Sequence, residues 1–198
     1  MIRLYFFWRI AVNNNNRTYK MVLIALFITL ITIGSYIKIP TPLVPITMQL
    51  AFCLLAGVLL GGKLGTISVI IYVIMGLIGL PLFAYGGGIY YILKPTFGYT
   101  LAFIPATFIT GILARGIGNT KSVNFWKIIF ACLCGIFVVY FIGVTYMYFI
   151  LNYYINSSIS IGRAIIAGCL IFLPTDIFWC FLVSLVSTKL IPSIKRRL

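Results

Sequence analysis

The chain has 198 residues, 63% of them hydrophobic and only 8% charged. A soluble domain carries about 25% charged residues, so this composition excludes a soluble globular surface and points to a polytopic membrane protein. Fifteen Lys and Arg stand against one acid, Asp176, for a net charge of +14. These cations sit at the ends of apolar runs rather than in one patch, which marks membrane topology and argues against a nucleic-acid partner.

Residues 1–20 join apolar "LYFFW" to polar "NNNNRTYK" and read as an N-terminal cytoplasmic or interfacial segment with a linker. They contain no small-residue cleavage motif of a signal peptide. A first span is expected over Met21–Ile37, ended by "KIPTPLVP", whose prolines cannot continue a helix. A second follows over Ile46–Leu60 and a third over Thr66–Leu80, separated by the turn "GGKLG". A long connection rich in Gly and aromatics, "PLFAYGGGIYYILKPTFGY", leads to a fourth span, Thr100–Leu113. The polar loop "ARGIGNTKSVNFWK" precedes the fifth, Ile128–Leu151. The apolar stretch Ile161–Ile191 is too long for one crossing at ~1.5 Å per residue. Pro174 is expected to divide it into an interfacial helix, Ile161–Leu170, and a sixth span, Leu173–Leu190.

The fold class is therefore an all-α membrane protein, six transmembrane helices in one bundle over residues 21–192, with residues 193–198 as a basic cytoplasmic tail. With the N-terminus inside, Arg3, Arg9, Arg17, Lys20, Lys63, Arg115, Lys121, Lys127, Lys189, Lys195, Arg196 and Arg197 fall on the cytoplasmic side. Only Lys38, Lys94 and Arg163 fall outside. That asymmetry places both termini in the cytoplasm and the chain in the cell membrane as a multi-pass protein. It also places the "PTPLVP" break, the Gly-aromatic loop and Asp176 on one face, the outer one.

Several chemistries drop out. Five cysteines without a CxxC pair, and no histidine, leave no metal site. They read instead as buried reduced thiols. "GVLLGGK" (Gly57–Lys63) imitates a phosphate loop, but Leu64 stands where Ser or Thr should hold Mg²⁺, and the motif ends an apolar run instead of following a strand. One carboxylate cannot form a catalytic pair, so the chain reads as a non-enzyme that binds no cofactor. Any nucleotide energy has to come from another polypeptide.

Asp176 carries the most information. A carboxylate among Leu, Pro, Ile, Phe and Trp is costly near hydrocarbon. Two roles fit it, capping the last helix or recognising a ligand's N–H donors at the outer mouth. Trp179, at i+3, adds a flat wall. In the loop, Phe83, Tyr85, Tyr90 and Tyr99 surround Gly86 and Gly87, as an interfacial aromatic belt or as a lid over an apolar pocket. Thr47 and Gln49 offer hydrogen bonds on the same side.

The stretches "IPTPLVPITMQ" (Ile39–Gln49), "LAGVLLGGKLGTISVIIYVIMGLIGLPLFA" (Leu55–Ala84), "KPTFGY" (Lys94–Tyr99) and "FLPTDIF" (Phe172–Phe178) together resemble BioY, the biotin-specific S component of energy-coupling factor (ECF) transporters. The resemblance implies a six-helix bundle with an outward-facing vitamin pocket. It also implies partners: a transmembrane coupling protein and two cytoplasmic ATPases that use ATP, the S component toppling in the membrane to release its substrate inward. Asp176 would take the ureido N–H groups of biotin, and Lys94 is the nearest outer cation for its carboxylate. Ala25 and Thr29 occupy the positions of the small residues that dock on the coupling protein. Trp179 stands where the family has a ligand-contacting lysine, and Thr175 where it has a glycine. A different vitamin is a second reading, and a non-transport assembly or scaffold subunit, with Asp176 only a cap, is a third.

Overall fold

The computed structural model describes residues 2–41, 43–115 and 124–195, with side chains placed for residues 17–41, 43–115 and 124–191. The loop residues around Lys121 and the tail residues Arg196 and Arg197 lie outside the described residues.

Helix α1 spans Ile2–Tyr36. It contains no proline, and no glycine before Gly34, so nothing ends it at the asparagine run. The sequence reading placed a separate segment and linker there, and the helix instead runs unbroken. The proline-rich break forms a two-stranded antiparallel ribbon, β1 (Lys38–Ile39) paired with β2 (Ile46–Thr47). Helix α2 (Gln49–Leu60) and α3 (Gly62–Leu77) follow, with only Gly61 between them, at φ 85. A 3₁₀ turn, Ile89–Leu93, leads into α4 (Phe97–Arg115). Helix α5 (Phe125–Phe149) starts on an Asn124 side-chain cap and continues through a wide turn to Tyr154.

The last apolar stretch is helical from Ile161 onward as α6 (Ile161–Ile165), loosened over Ile166–Leu170, and then α7 (Leu173–Lys195). The break falls at Ile171–Phe172, just ahead of Pro174, which sits in the first turn of α7 where its missing N–H costs no bond.

The architecture is helical, and among the described residues four helices are long and apolar enough to cross a membrane: Arg17–Tyr36, Phe97–Arg115, Phe125–Tyr154 and Ile161–Ile191. Helices α2 and α3 are apolar but shorter, at 12 and 16 residues. Helix α2 runs through the middle of the bundle, and most of its residues are buried. Aliphatic and aromatic side chains meanwhile cover the rim, among them Phe137, Phe141 and Phe181. A protein apolar inside and out suits a hydrocarbon solvent.

The glycines of the imitation phosphate loop are packing elements. A Cβ on Gly57 would stand 3.3 Å from Gly111 N, and one on Gly62 3.1 Å from the Phe108 carbonyl oxygen. Helix α4 thus crosses the α2–α3 junction backbone to backbone, as small residues allow in membranes.

A cavity closed by a fastened loop

The C-terminal ends of α1 and α3 meet the N-terminal ends of α2, α4 and α7 at one end of the bundle. The loop after α3 closes this end. Its carbonyls are all occupied from Leu80 to Gly86. Leu82 N–H donates to Leu80 O, and Phe83 and Gly86 bond each other in both directions. Tyr36 Oη donates to Pro81 O. Ser35 Oγ (2.6 Å) and Tyr72 Oη (3.0 Å) both donate to Leu82 O. Lys38 Nζ donates to Ala84 O, and Lys94 Nζ to Tyr85 O at 3.0 Å. Gly88 N–H reaches back to Gly76 O at 2.7 Å. A Cβ on Gly87 would stand 2.8 Å from the Leu80 carbonyl carbon, so no larger residue fits there.

Beneath this loop lies a small cavity of about 50 Å³. The ribbon supplies Val44, Pro45 and Thr47, and α2 supplies Gln49. The loop supplies Ala84, Tyr91 and Thr96, and α4 supplies Tyr99, Thr100 and Phe103. Helix α5 contributes Val139 and Tyr140, and the α7 end contributes Phe172 and Asp176. Apolar walls with a few polar groups are the usual composition of a recognition site.

The polar groups are individually held. Thr47 Oγ1 donates to Gln49 Oε1 at 3.3 Å, and Gln49 Nε2 donates to Tyr72 Oη at 2.5 Å. Tyr72 in turn holds the loop at Leu82. The Tyr99 hydroxyl donates to Gly168 O at 2.8 Å, tying α4 to the loosened segment before α7. Asp176 is only 6% exposed, and Tyr140 Oη donates to its Oδ2 at 2.5 Å. Among the described residues the carboxylate accepts no backbone amide, so it is not a helix cap in the usual sense. Its Oδ1 has no protein partner among the described residues.

A buried carboxylate that loses its one donor carries an unpaid desolvation cost. Tyr140→Phe is therefore expected to lower stability by about 1–3 kcal/mol. Thermal unfolding in detergent checks this, and an unchanged midpoint would show the bond to be idle.

Of the residues singled out in the sequence, Asp176, Thr47, Gln49 and Tyr99 line the cavity. The others lie elsewhere. Phe83, 1% exposed, packs edge-on to Tyr72 at 5.5 Å and against Tyr91 at 4.5 Å, where it supports the lining without joining it. Gly86 and Gly87 shape the loop. Tyr85, next in the chain to the lining residue Ala84, is exposed, with Lys38 Nζ 4.5 Å and Lys94 Nζ 5.8 Å from its ring centre. Tyr90 is 82% exposed. Trp179 is half-buried against Phe178, with ring centres 5.4 Å apart, outside the cavity lining. The sequence reading missed Tyr140 and Thr100 as lining residues. Tyr140 lies inside an unbroken apolar run, where the one signal was a hydroxyl placed in mid-span.

A second, more open hollow of about 660 Å³ lies between α5 and the α6–α7 stretch, and Tyr140 forms part of both walls. Leu133, Phe137, Phe141, Ile161 and Ile177 dominate it, and its Thr145 hydroxyl is turned back to Phe141 O. It lacks the convergent polar groups that orient a ligand.

Fold and cavity together define a helical membrane protein with a small cavity beside a single buried carboxylate. The BioY family model matches residues 11–196. A "Probable biotin transporter BioY" of Lysinibacillus sphaericus is 40% identical over 151 residues, covering 76% of this chain and 76% of the relative. The "Biotin transporter BioY" of Thermotoga maritima is 33% identical over 172 residues, covering 86% and 95%. Among solved structures, the crystal structure of the S-component for biotin from an ECF-type ABC transporter superposes with a TM-score of 0.79 at 29% identity, covering 89% of this chain and 93% of that one. The chain belongs to the BioY family.

Proposed function

We propose that this protein is the substrate-binding S component of an ECF-type importer and that its ligand is biotin. The observation that carries this is Asp176, the only acid in the chain, buried in the cavity wall with Oδ1 unpartnered among the described residues. The ureido N–H groups of biotin are donors suited to it. The thioether ring and valeryl chain suit the walls formed by Val44, Phe103, Val139 and Phe172. The chain binds and hands over its ligand and catalyses nothing.

The topology that fits is six crossings with both termini cytoplasmic, so that the cavity opens outward. ATP is then used by partner subunits, two cytoplasmic ATPases joined through a transmembrane coupling protein in the cell membrane. Ala25 and Thr29 are exposed one turn apart on α1, with the Thr29 hydroxyl folded back onto Ala25 O at 3.0 Å. That smooth strip is the candidate docking face for the coupling protein. Tyr85 and Lys94 would serve the ligand's carboxylate end, while Trp179 and Tyr90 stand outside the first contacts.

Equilibrium dialysis of the purified protein with labelled biotin tests the reading, and absence of measurable binding would overturn it. Lys94 is exposed and already bonded to Tyr85 O, so its charge is well screened. Lys94→Ala is expected to weaken binding by no more than about 5-fold, clearly less than Asp176→Ala. Equal losses in the two variants would count against Asp176 as the group that reads the ureido ring.

A further inference from the structure

Most helical hydroxyls in this protein are already used. Thr29, Thr32, Ser68, Thr145, Ser184 and Thr188 bond a carbonyl about one turn back on their own helix. Thr107 and Thr110 reach across to carbonyls of neighbouring helices. Thr100, in the first turns of α4, does neither. It is 4% exposed and lines the cavity, and its hydroxyl has no hydrogen-bond partner among the described residues. Thr66 and Ser187 also lack partners, but their oxygens are sealed within the protein and line neither hollow.

Buried polar groups in membranes are almost always paired, because nothing in hydrocarbon replaces the lost bond. A nearly buried threonine that leaves its hydroxyl to a cavity, when the carbonyl of Thr96 lies one turn back, marks a bond supplied by the occupant. The same cavity holds the other unpartnered group, Asp176 Oδ1. One is a hydroxyl able to donate, and the other accepts only.

We infer that Thr100 is a specificity-determining residue, its hydroxyl donating to a ring carbonyl of the ligand while Asp176 Oδ1 accepts the N–H beside that carbonyl. In a cyclic urea or lactam the ring holds N–H and C=O on the same edge, so one acceptor and one donor in the protein read that edge together. This separates such a ring from amines, carboxylates and alkyl alcohols, which lack the paired edge. Tyr140 keeps Asp176 in place from the far side through Oδ2. The inference rests on the biotin reading and names the end of the ligand that meets Asp176 and Thr100.

Two ligands differing at one atom test it: biotin and its thione analogue, in which sulfur, a poor acceptor, replaces the ureido oxygen. The wild-type protein is expected to bind biotin about 10-fold more tightly than the thione. Thr100→Val, which keeps the shape and removes the hydroxyl, is expected to weaken biotin binding by about 10-fold and to erase the preference. Thr100→Ser is expected to restore both. N-methylation of the ureido nitrogens should remain damaging in Thr100→Val, because Asp176 is intact. A wild-type protein that binds biotin and the thione equally overturns the assignment without recourse to any variant. A preference retained in Thr100→Val overturns it as well, with the biotin reading left standing. Failure of the wild type to bind either compound overturns the biotin reading, and the assignment falls with it.

Discussion

Asp176→Asn is expected to weaken biotin binding by about 10- to 150-fold, the range set by hydrogen bonds to a charged group. The substitution keeps the volume of the side chain and leaves an oxygen for the Tyr140 hydroxyl, so the fold is expected to survive. What changes is the cavity-side atom. An amide has one oxygen instead of two. If that oxygen keeps Tyr140, the NH₂ turns toward the ligand's N–H and two donors collide. If the amide flips, Tyr140 loses its acceptor. Either orientation leaves one group unsatisfied in a site with little water, which is why the loss exceeds that of a mere change in charge. Calorimetric titration in detergent measures it. Affinity within threefold of wild type would show that the carboxylate does not read the ligand.

Gly111→Ala is expected to cost on the order of 3 kcal/mol, at the upper end of overpacking effects. A Cβ there would stand 2.6 Å from Gly62 Cα and 2.8 Å from the Gly57 carbonyl oxygen. Both obstacles are main chain, which cannot rotate aside as a side chain does. Helix α4 would have to withdraw from α2 and α3 together, and α4 carries Tyr99, Thr100 and Phe103 of the cavity. Gly162→Ala on α6 is the control, since nothing lies within 4 Å of its added carbon. The unfolding midpoint of Gly111→Ala should fall well below that of the control. Matching midpoints would mean that the helices are not in backbone contact.

The order of helices was readable because apolar runs and proline-glycine breaks act locally. The helix that became α4 was expected from Thr100 to Leu113 and occupies Phe97–Arg115, a matter of capping and not of kind. Asp176 could be placed in the first turn of the last helix from Pro174 alone. Partners could not be read this way. Tyr140 meets Asp176 across 36 positions of chain, and Tyr99 meets Gly168 across 69. No local pattern encodes such pairings. Aromatics of the loop looked equivalent in sequence, yet Phe83 is sealed in the core while Tyr90 faces out. That difference follows from the Phe83–Gly86 pairing, which turns one ring inward. The unbroken α1 was hidden for the opposite reason, since polar composition suggested a linker where no residue actually forbids a helix.

The loop over the cavity is secured almost wholly through its own carbonyl oxygens, with donors supplied from α1, α3, the ribbon and Lys94. Carbonyls are the same whichever residue bears them. Exposed loop positions such as Tyr85, Ile89 and Tyr90 can therefore be exchanged over evolutionary time without releasing the frame. The chain separates the part that must stay put from the part that can vary, and a new preference at the loop can arise by drift in side chains alone.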